Sequence, residues 1–198
     1  MADALDPPMR VAVLTVSDRC SRGAAADTSG PALEAMCRLR LSAEVVAREC
    51  CADEVKTLAE ALRRWCLDAP KPDLLLTTGG TGLAPRDVTP EATASVLERR
   101  HPALLELARR RCYDITPRTY LSRGESGTLG STLILNLPGS ERGATEMLTA
   151  LLDILPHAVE TLRGDVQDDG RPEARPDPTP GEQAGDGPRA GRIIHHPD

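Results

Sequence analysis

Three short runs in this chain, Arg10–Val16 (RVAVLTV), Leu74–Thr78 (LLLTT) and Thr132–Leu137 (TLILNL), are apolar on almost every residue. A strand with one wet face alternates apolar and polar residues. A run that is apolar throughout suits a strand buried on both faces, as in a mainly parallel sheet covered by helices. The segments between these runs have helical spacing. They are Pro31–Leu41, Asp53–Leu67, Thr89 to about Arg100, Ala103–Cys112, Ala144–Leu155 and, after Pro156, His157–Leu162. In the second of them Val55, Leu58, Leu62, Trp65 and Cys66 recur on one side. Thr89 before Pro90 reads as an N-cap and first-turn pair, because proline at N1 loses no helical hydrogen bond. A more alternating run, AEVVAREC (Ala43–Cys50), suits a strand near an edge. The expected class is α/β, with strands and helices in alternation and ligand loops at the carboxyl ends of the strands.

With 198 residues, 40% of them hydrophobic, the chain can fill one well-packed domain. Phenylalanine is absent, aromatic content is 2% and the net charge is -6, so the chain lacks both base-stacking platforms and a basic footprint; nucleic acid is not an expected partner. No stretch approaches the roughly 20 apolar residues of a membrane span, and the start MADALDPPMRVAVLTVSD lacks a secretory pattern. A cytoplasmic location is expected. The six cysteines (Cys20, Cys37, Cys50, Cys51, Cys66 and Cys112) form no CxxC pair and have no histidine at zinc-ligand spacing, which favours reduced thiols in or near the core. From residue 165 to 198 the chain is rich in Pro, Gly and Asp, and its eight acids and four arginines carry -4 of the total charge. This composition is that of a disordered acidic tail, in which His195 and His196 are a weak metal signal.

Three loops follow the three apolar strands: SDRCSRGAAADTSG after Val16, TGGTGLAPRD from Thr78 and PGSERG after Leu137. The middle one combines Gly79, Gly80 and Gly82 with the hydroxyls of Thr77, Thr78 and Thr81. Bare backbone lets amide groups approach an anion, and this composition suits phosphate. The loop has neither the Gly-Lys-Ser/Thr ending of a Walker loop nor a GxGxxG turn opening directly into a helix. Arg86 and Asp87 follow it. A carboxylate beside polyphosphate is repulsive unless a cation intervenes, so Asp87 suggests Mg2+ with a nucleotide. The alternative is that Asp87 caps the following helix or pairs with Arg86. Asp53 lies at another strand-to-helix junction, where by itself it reads as an N-cap.

Taken in order, VAVLTVSD, DTSG, LLLTTGGTGLAPRDVTPEAT, LSR and TLILNLPGS resemble the molybdenum-cofactor biosynthesis family, specifically molybdopterin adenylyltransferases and the G domain of gephyrin. The likeness runs over residues 9–164 and leaves out 165–198. It implies a three-layer α/β/α domain, usually a homotrimer, that adenylylates molybdopterin with Mg-ATP and releases pyrophosphate. A separate molybdenum insertase would then take the product. By the same likeness Asp53 and Asp87 match the two acidic positions associated with catalysis and Mg2+. Thr78, Gly79, Gly80, Thr81 and Gly82, with Pro138, Gly139 and Ser140, fall on the nucleotide side. Ser17, Asp18, Ser29, Gly30 and Ser131 fall near pterin.

Two places depart from the family pattern. Gly127-Thr128-Leu129-Gly130 has Leu129 where relatives commonly carry a cation, with Arg118 and Arg123 as candidates to compensate for it at the pterin phosphate. Pro102-Ala103-Leu104 replaces a Pro-Gly-Met turn. A non-catalytic molybdopterin carrier and a trimerising scaffold are therefore kept beside the enzyme reading.

Overall fold

The computed structural model describes residue 5, residues 7–68 and residues 70–164; the acidic segment 165–198, with His195 and His196, lies outside the described residues. Six strands form one sheet: β1 (Arg10–Val16), β2 (Glu44–Cys51), β3 (Leu74–Thr78), β4 (Arg99–Arg100), β5 (Ser126–Leu129) and β6 (Thr132–Leu137). Their order across the sheet is β2-β1-β3-β6-β5-β4. The first four strands in that order run parallel, while β5 is antiparallel to β6 and β4 to β5.

The apolar runs are buried on both faces, as their composition requires. Val11, Val13, Leu74, Leu76, Leu133 and Leu135 point into one cluster, with Leu33 and Cys37 of α2 (Ser29–Arg40), Leu105 of α5 (Ala103–Cys112), Met147 of α6 (Glu141–Thr149) and Val159 of α7 (Leu155–Arg163). The intervening Ala12, Leu14, Leu75 and Ile134 face the other way, onto Leu58 and Leu62 of α3 (Val55–Leu67) and Ala92 of α4 (Thr89–Ala94). The two-residue period of a strand thus sorts its side chains between two helix layers, giving the three-layer α/β/α fold. One further helical turn, α1 (Asp18–Ser21), follows β1 directly. All six cysteines are free; Cys37, Cys66 and Cys112 are buried and Cys50 is exposed. Among the described residues no helix is long and apolar enough to cross a membrane.

Several elements differ from expectation. The helix starting at Thr89 ends at Ala94 rather than near Arg100, and the chain turns so that Arg99 and Arg100 pair with Thr128 and Gly127 as an edge strand. Thr89 is not a cap: it is the first helical residue, and its hydroxyl donates to the Gly79 carbonyl at 2.8 Å. Asp53 is not the N-cap of α3 either; Glu54 holds that position. The helix expected over Ala144–Leu155 ends at Thr149, and α7 begins at Leu155 with Pro156 in its first turn, where a missing amide costs nothing.

Candidate functional site

Four strand ends (β1, β2, β3 and β6) point their loops to one side of the sheet. The chain leaves β1 toward β2 on one side, and β3 and β6 lie on the other. A crevice therefore opens outside the ends of β1 and β3, where open α/β sheets bind ligands. A cleft of about 290 Å³ lies there, walled by Ser17, Ser29, Thr78, Gly79, Gly80 and Gly139, with Asp27, Asp53 and Asp87 among its lining.

Bare backbone brings the loops together. Gly79 sits at φ 107°, and a Cβ there would collide with the Val16 carbonyl oxygen of β1; a Cβ on Gly139 would stand 3.0 Å from the Gly79 Cα. The Thr78 hydroxyl donates to the Pro138 carbonyl at 2.7 Å, and the Gly79 amide to Leu137 at 3.2 Å, fastening the β3 loop to the β6 loop. Gly80, at φ 60°, leaves room for Asp53, whose Oδ1 would lie 3.0 Å from an added Cβ. Part of the glycine content therefore serves loop packing. The amides of Gly80, Thr81 and Gly82 meet no acceptor among the described residues, and Gly80 lines the cleft.

The acids are held firmly. Asp53 accepts the Asp18 amide at 2.7 Å, and Asp18 returns the contact by accepting the Asp53 amide at 3.2 Å, so the β1 and β2 loops are laced through two carboxylates. The other Asp18 oxygen pairs with Arg86, whose hydrogen bond keeps the Asp18 carboxyl below the usual carboxylate range. Asp87 accepts the Ala84 amide at 2.9 Å. Burial, with Asp53 close by, pushes the neighbouring Cys51 thiol up to about 12, leaving it protonated and unsuited to act as a nucleophile.

Asp27, which lies in the DTSG motif, takes part in the cleft without having been singled out from sequence. Its side chain is 9% exposed and accepts from the Thr15 hydroxyl (2.9 Å) and the Gly30 amide (2.9 Å), with Arg48 at 3.6 Å. Its sequence signals were the DTSG motif and a position three residues ahead of Gly30 at the start of α2.

Ser17, Asp18, Ser29, Gly30, Asp53, Thr78, Gly79, Gly80, Asp87 and Gly139 thus lie in or against one cleft. Thr81 and Gly82 follow Gly80 in the chain but are not among the residues that line the cleft; an added Cβ on Gly82 would come within 2.8 Å of Asp87 Oδ2. Pro138 and Ser140 line an adjoining cavity of about 410 Å³ with Arg118, Arg142, Thr119 and Met147. Ser140 caps α6 through the Gly143 amide at 3.2 Å.

Ser131 is not brought to the cleft. It is exposed in the turn before β6, about 23 Å along the strand from Pro138 at roughly 3.3 Å per residue. Leu129 lies at that far end too, buried against the α3 layer, so its replacement of a cation bears on the core and not on this cleft. Arg123 is not free to compensate for it, since its guanidinium holds the Gly82 and Asp87 carbonyls.

No three His, Cys, Asp or Glu side chains converge on one point among the described residues. Among the described residues no Lys or Arg lines the cleft, and Asp53 and Asp87 are the residues that could supply the one or two carboxylates Mg2+ takes, with phosphate oxygens and water completing its shell.

Comparison with known proteins shows the family. Residues 12–157 match the family model of a probable molybdopterin binding domain. The chain is 37% identical over 157 residues to the molybdopterin adenylyltransferase of Helicobacter pylori, covering 79% of this chain and 89% of that protein. It is 42% identical over 154 residues to the molybdenum cofactor synthesis protein cinnamon of Drosophila melanogaster and 38% identical over 159 residues to gephyrin of Dictyostelium discoideum; it spans only 26% and 22% of those longer proteins. The solved structure of the molybdopterin biosynthesis enzyme MoaB from Thermus thermophilus superposes with a TM-score of 0.74 at 48% identity, covering 79% of this chain and 97% of that one. With the family model spanning most of the described fold, this chain belongs to the molybdopterin-binding domain family of molybdenum-cofactor biosynthesis proteins.

Proposed function

We propose that the chain is a molybdopterin adenylyltransferase, transferring AMP from Mg-ATP to the terminal phosphate of molybdopterin and releasing pyrophosphate. The observation that carries this reading is the meeting of Asp53 and Asp87 in one cleft with a glycine-rich loop and, among the described residues, no basic lining side chain. An anion alone would be repelled by those acids; a metal-bound triphosphate would not. Coverage of 89% of a relative named molybdopterin adenylyltransferase supports the same reading.

In this reaction an oxygen of the molybdopterin phosphate attacks the α-phosphorus of ATP, and the bond to the pyrophosphate oxygen breaks. The nucleophile arrives already ionised, so no Ser, Cys or His of the chain needs activation. Mg2+, held by Asp53 and Asp87, would neutralise phosphate charge. The chain's own work is positional: the Gly80 amide holds a phosphate oxygen, and the Asp18–Asp53 lacing fixes one acid against the β1 loop. The adjoining cavity shares the Pro138–Ser140 loop with the cleft and gives the second substrate a place beside the first. A homotrimer and an insertase that receives the product complete the proposed setting.

The test mixes the protein with molybdopterin, ATP and Mg2+ and quantifies adenylylated molybdopterin and pyrophosphate. Asp87→Asn and Asp53→Asn preserve shape and acceptor oxygens, so each should cut turnover by about 100-fold or more at nearly unchanged Tm. Folded wild-type protein that retains molybdopterin but forms no product would replace this reading with a carrier.

A further inference from the structure

Arg123 follows the 3-10 turn Pro117–Leu121, more than thirty residues downstream of the Asp87 loop, yet its donors go to that loop. Its Nε donates to the Gly82 carbonyl at 2.7 Å, Nη2 donates to the Asp87 carbonyl at 2.7 Å, and Nη1 pairs with Glu91 in α4. Its own amide donates to the Thr81 carbonyl at 2.8 Å, and the preceding Ser122 hydroxyl donates to Thr81 Oγ1 at 3.2 Å. One short segment therefore grips residues 81, 82, 87 and 91, on both sides of the turn that carries Asp87.

The base of that turn is closed by Thr89, whose amide donates to the Gly80 carbonyl at 3.0 Å and whose hydroxyl donates to the Gly79 carbonyl at 2.8 Å, but the stretch from Gly82 to Asp87 is held less well. Asp87 bonds back to Ala84 through both its amide and its carboxylate, so the turn is tied to itself. Leu83 is 68% exposed, and the Arg86–Asp18 pair, with the Arg86 side chain 70% exposed, is of the kind that contributes little. The acceptors around Arg123 lie in different directions, which a planar fork of five N–H donors meets and a single ammonium does not.

We propose that Arg123 is the positioning residue for Asp87: its guanidinium clamps the Gly82–Asp87 turn and thereby sets where the metal-bringing carboxylate stands. This rests on the reading of Asp87 as a Mg2+-nucleotide ligand, but the clamp can be measured without any ligand.

Amide hydrogen exchange at Ala84 and Asp87 is followed by NMR in wild type, Arg123→Lys, Arg123→Met and the control Arg118→Met. Both Arg123 variants should exchange about tenfold faster or more at these two amides, with the β1 and β3 amides unchanged, and Arg118→Met should match wild type. Unchanged exchange overturns the clamp, and a wild-type rate in Arg123→Lys overturns the argument from the fork. Mn2+ affinity with ATP present is then measured in Arg123→Met, Asp87→Asn and the double variant. A loss in each single variant that does not deepen in the double variant establishes action through Asp87. Fast exchange with full Mn2+ affinity, or additive losses, would overturn the positioning role. If wild type bound no Mn2+-nucleotide, the adenylyltransferase reading would fail, with exchange still deciding the clamp.

Discussion

Replacing Gly79 by alanine isolates the energy with which two strand-end loops are pressed together. Gly79 and Gly23 both have positive φ, 107° and 68°, but their surroundings differ. An added Cβ at Gly23 meets nothing within 4 Å, so Gly23→Ala should cost only the left-handed backbone penalty, about 1 kcal/mol. At Gly79 the φ is farther from any region an L-residue favours, worth about 1–3 kcal/mol, and the new methyl meets the Val16 carbonyl, a backbone atom that cannot rotate away. Separating β3 from β1 to relieve the clash adds about 1–3 kcal/mol, as for an overpacked core. The sum is centred near 4 kcal/mol, a large share of the stability of a domain of this size. Thermal unfolding followed by circular dichroism should show Tm falling by roughly 10 °C for Gly79→Ala and about 3 °C for Gly23→Ala. Equal losses in the two variants would refute the packing argument and leave Gly79 as a glycine required by dihedral angle alone.

Asn136 is fully buried; it donates to Thr77 Oγ1 (2.9 Å) and Thr93 Oγ1 (3.0 Å) and accepts the Glu125 amide (3.0 Å). Asn136→Leu should cost about 3–5 kcal/mol in urea unfolding, because three buried polar groups lose their partner. Arg163 and Asp73 form a two-pronged pair at 3.1 and 2.6 Å with side chains 15% and 17% exposed, and Arg163 also holds the Pro7 and Pro8 carbonyls. Arg163→Met leaves the sheltered Asp73 carboxylate without this guanidinium and with the Arg10 amide at 2.7 Å, and its urea midpoint should fall by the equivalent of about 3 kcal/mol. Burial raises Cys37, Cys51 and Cys66 from the ordinary 9.0 to about 12. Above pH 9 these thiols ionise in the unfolded chain but not in the folded one, so stability should be intact below pH 9 and decline as pH rises toward 12. Urea midpoints at pH 8, 9 and 10 check this, and Cys37→Ala should flatten the decline.

Much of the core could be read along the chain. β1, β3 and β6 are apolar at consecutive positions, a pattern that serves a strand covered on both sides, and α3 and α5 carry periodic apolar faces. β5 was hidden because Ser126-Gly127-Thr128-Leu129 has no apolar run; its burial comes from pairing with β6. The early end of α4 was hidden for a related reason: the Arg99–Arg100 backbone finds partners in β5, a contact with no local sequence signal. Ser131 stands away from the cleft for a reason visible along the chain: a residue that precedes a parallel strand lies at the end opposite the ligand loops.

The layers and the sidedness of the site are written along the chain, because residue period and strand direction are properties of consecutive residues. The sequence also marked Asp53 and Asp87 as acids at strand-to-helix junctions. How those acids are held emerges only when the chain folds: Asp53 against Asp18 thirty-five residues away, and the Asp87 turn by Arg123 at a separation of thirty-six. Such contacts depend on the angle and distance between loops once the sheet has closed. Bare backbone at Gly79 and Gly139 lets those loops touch.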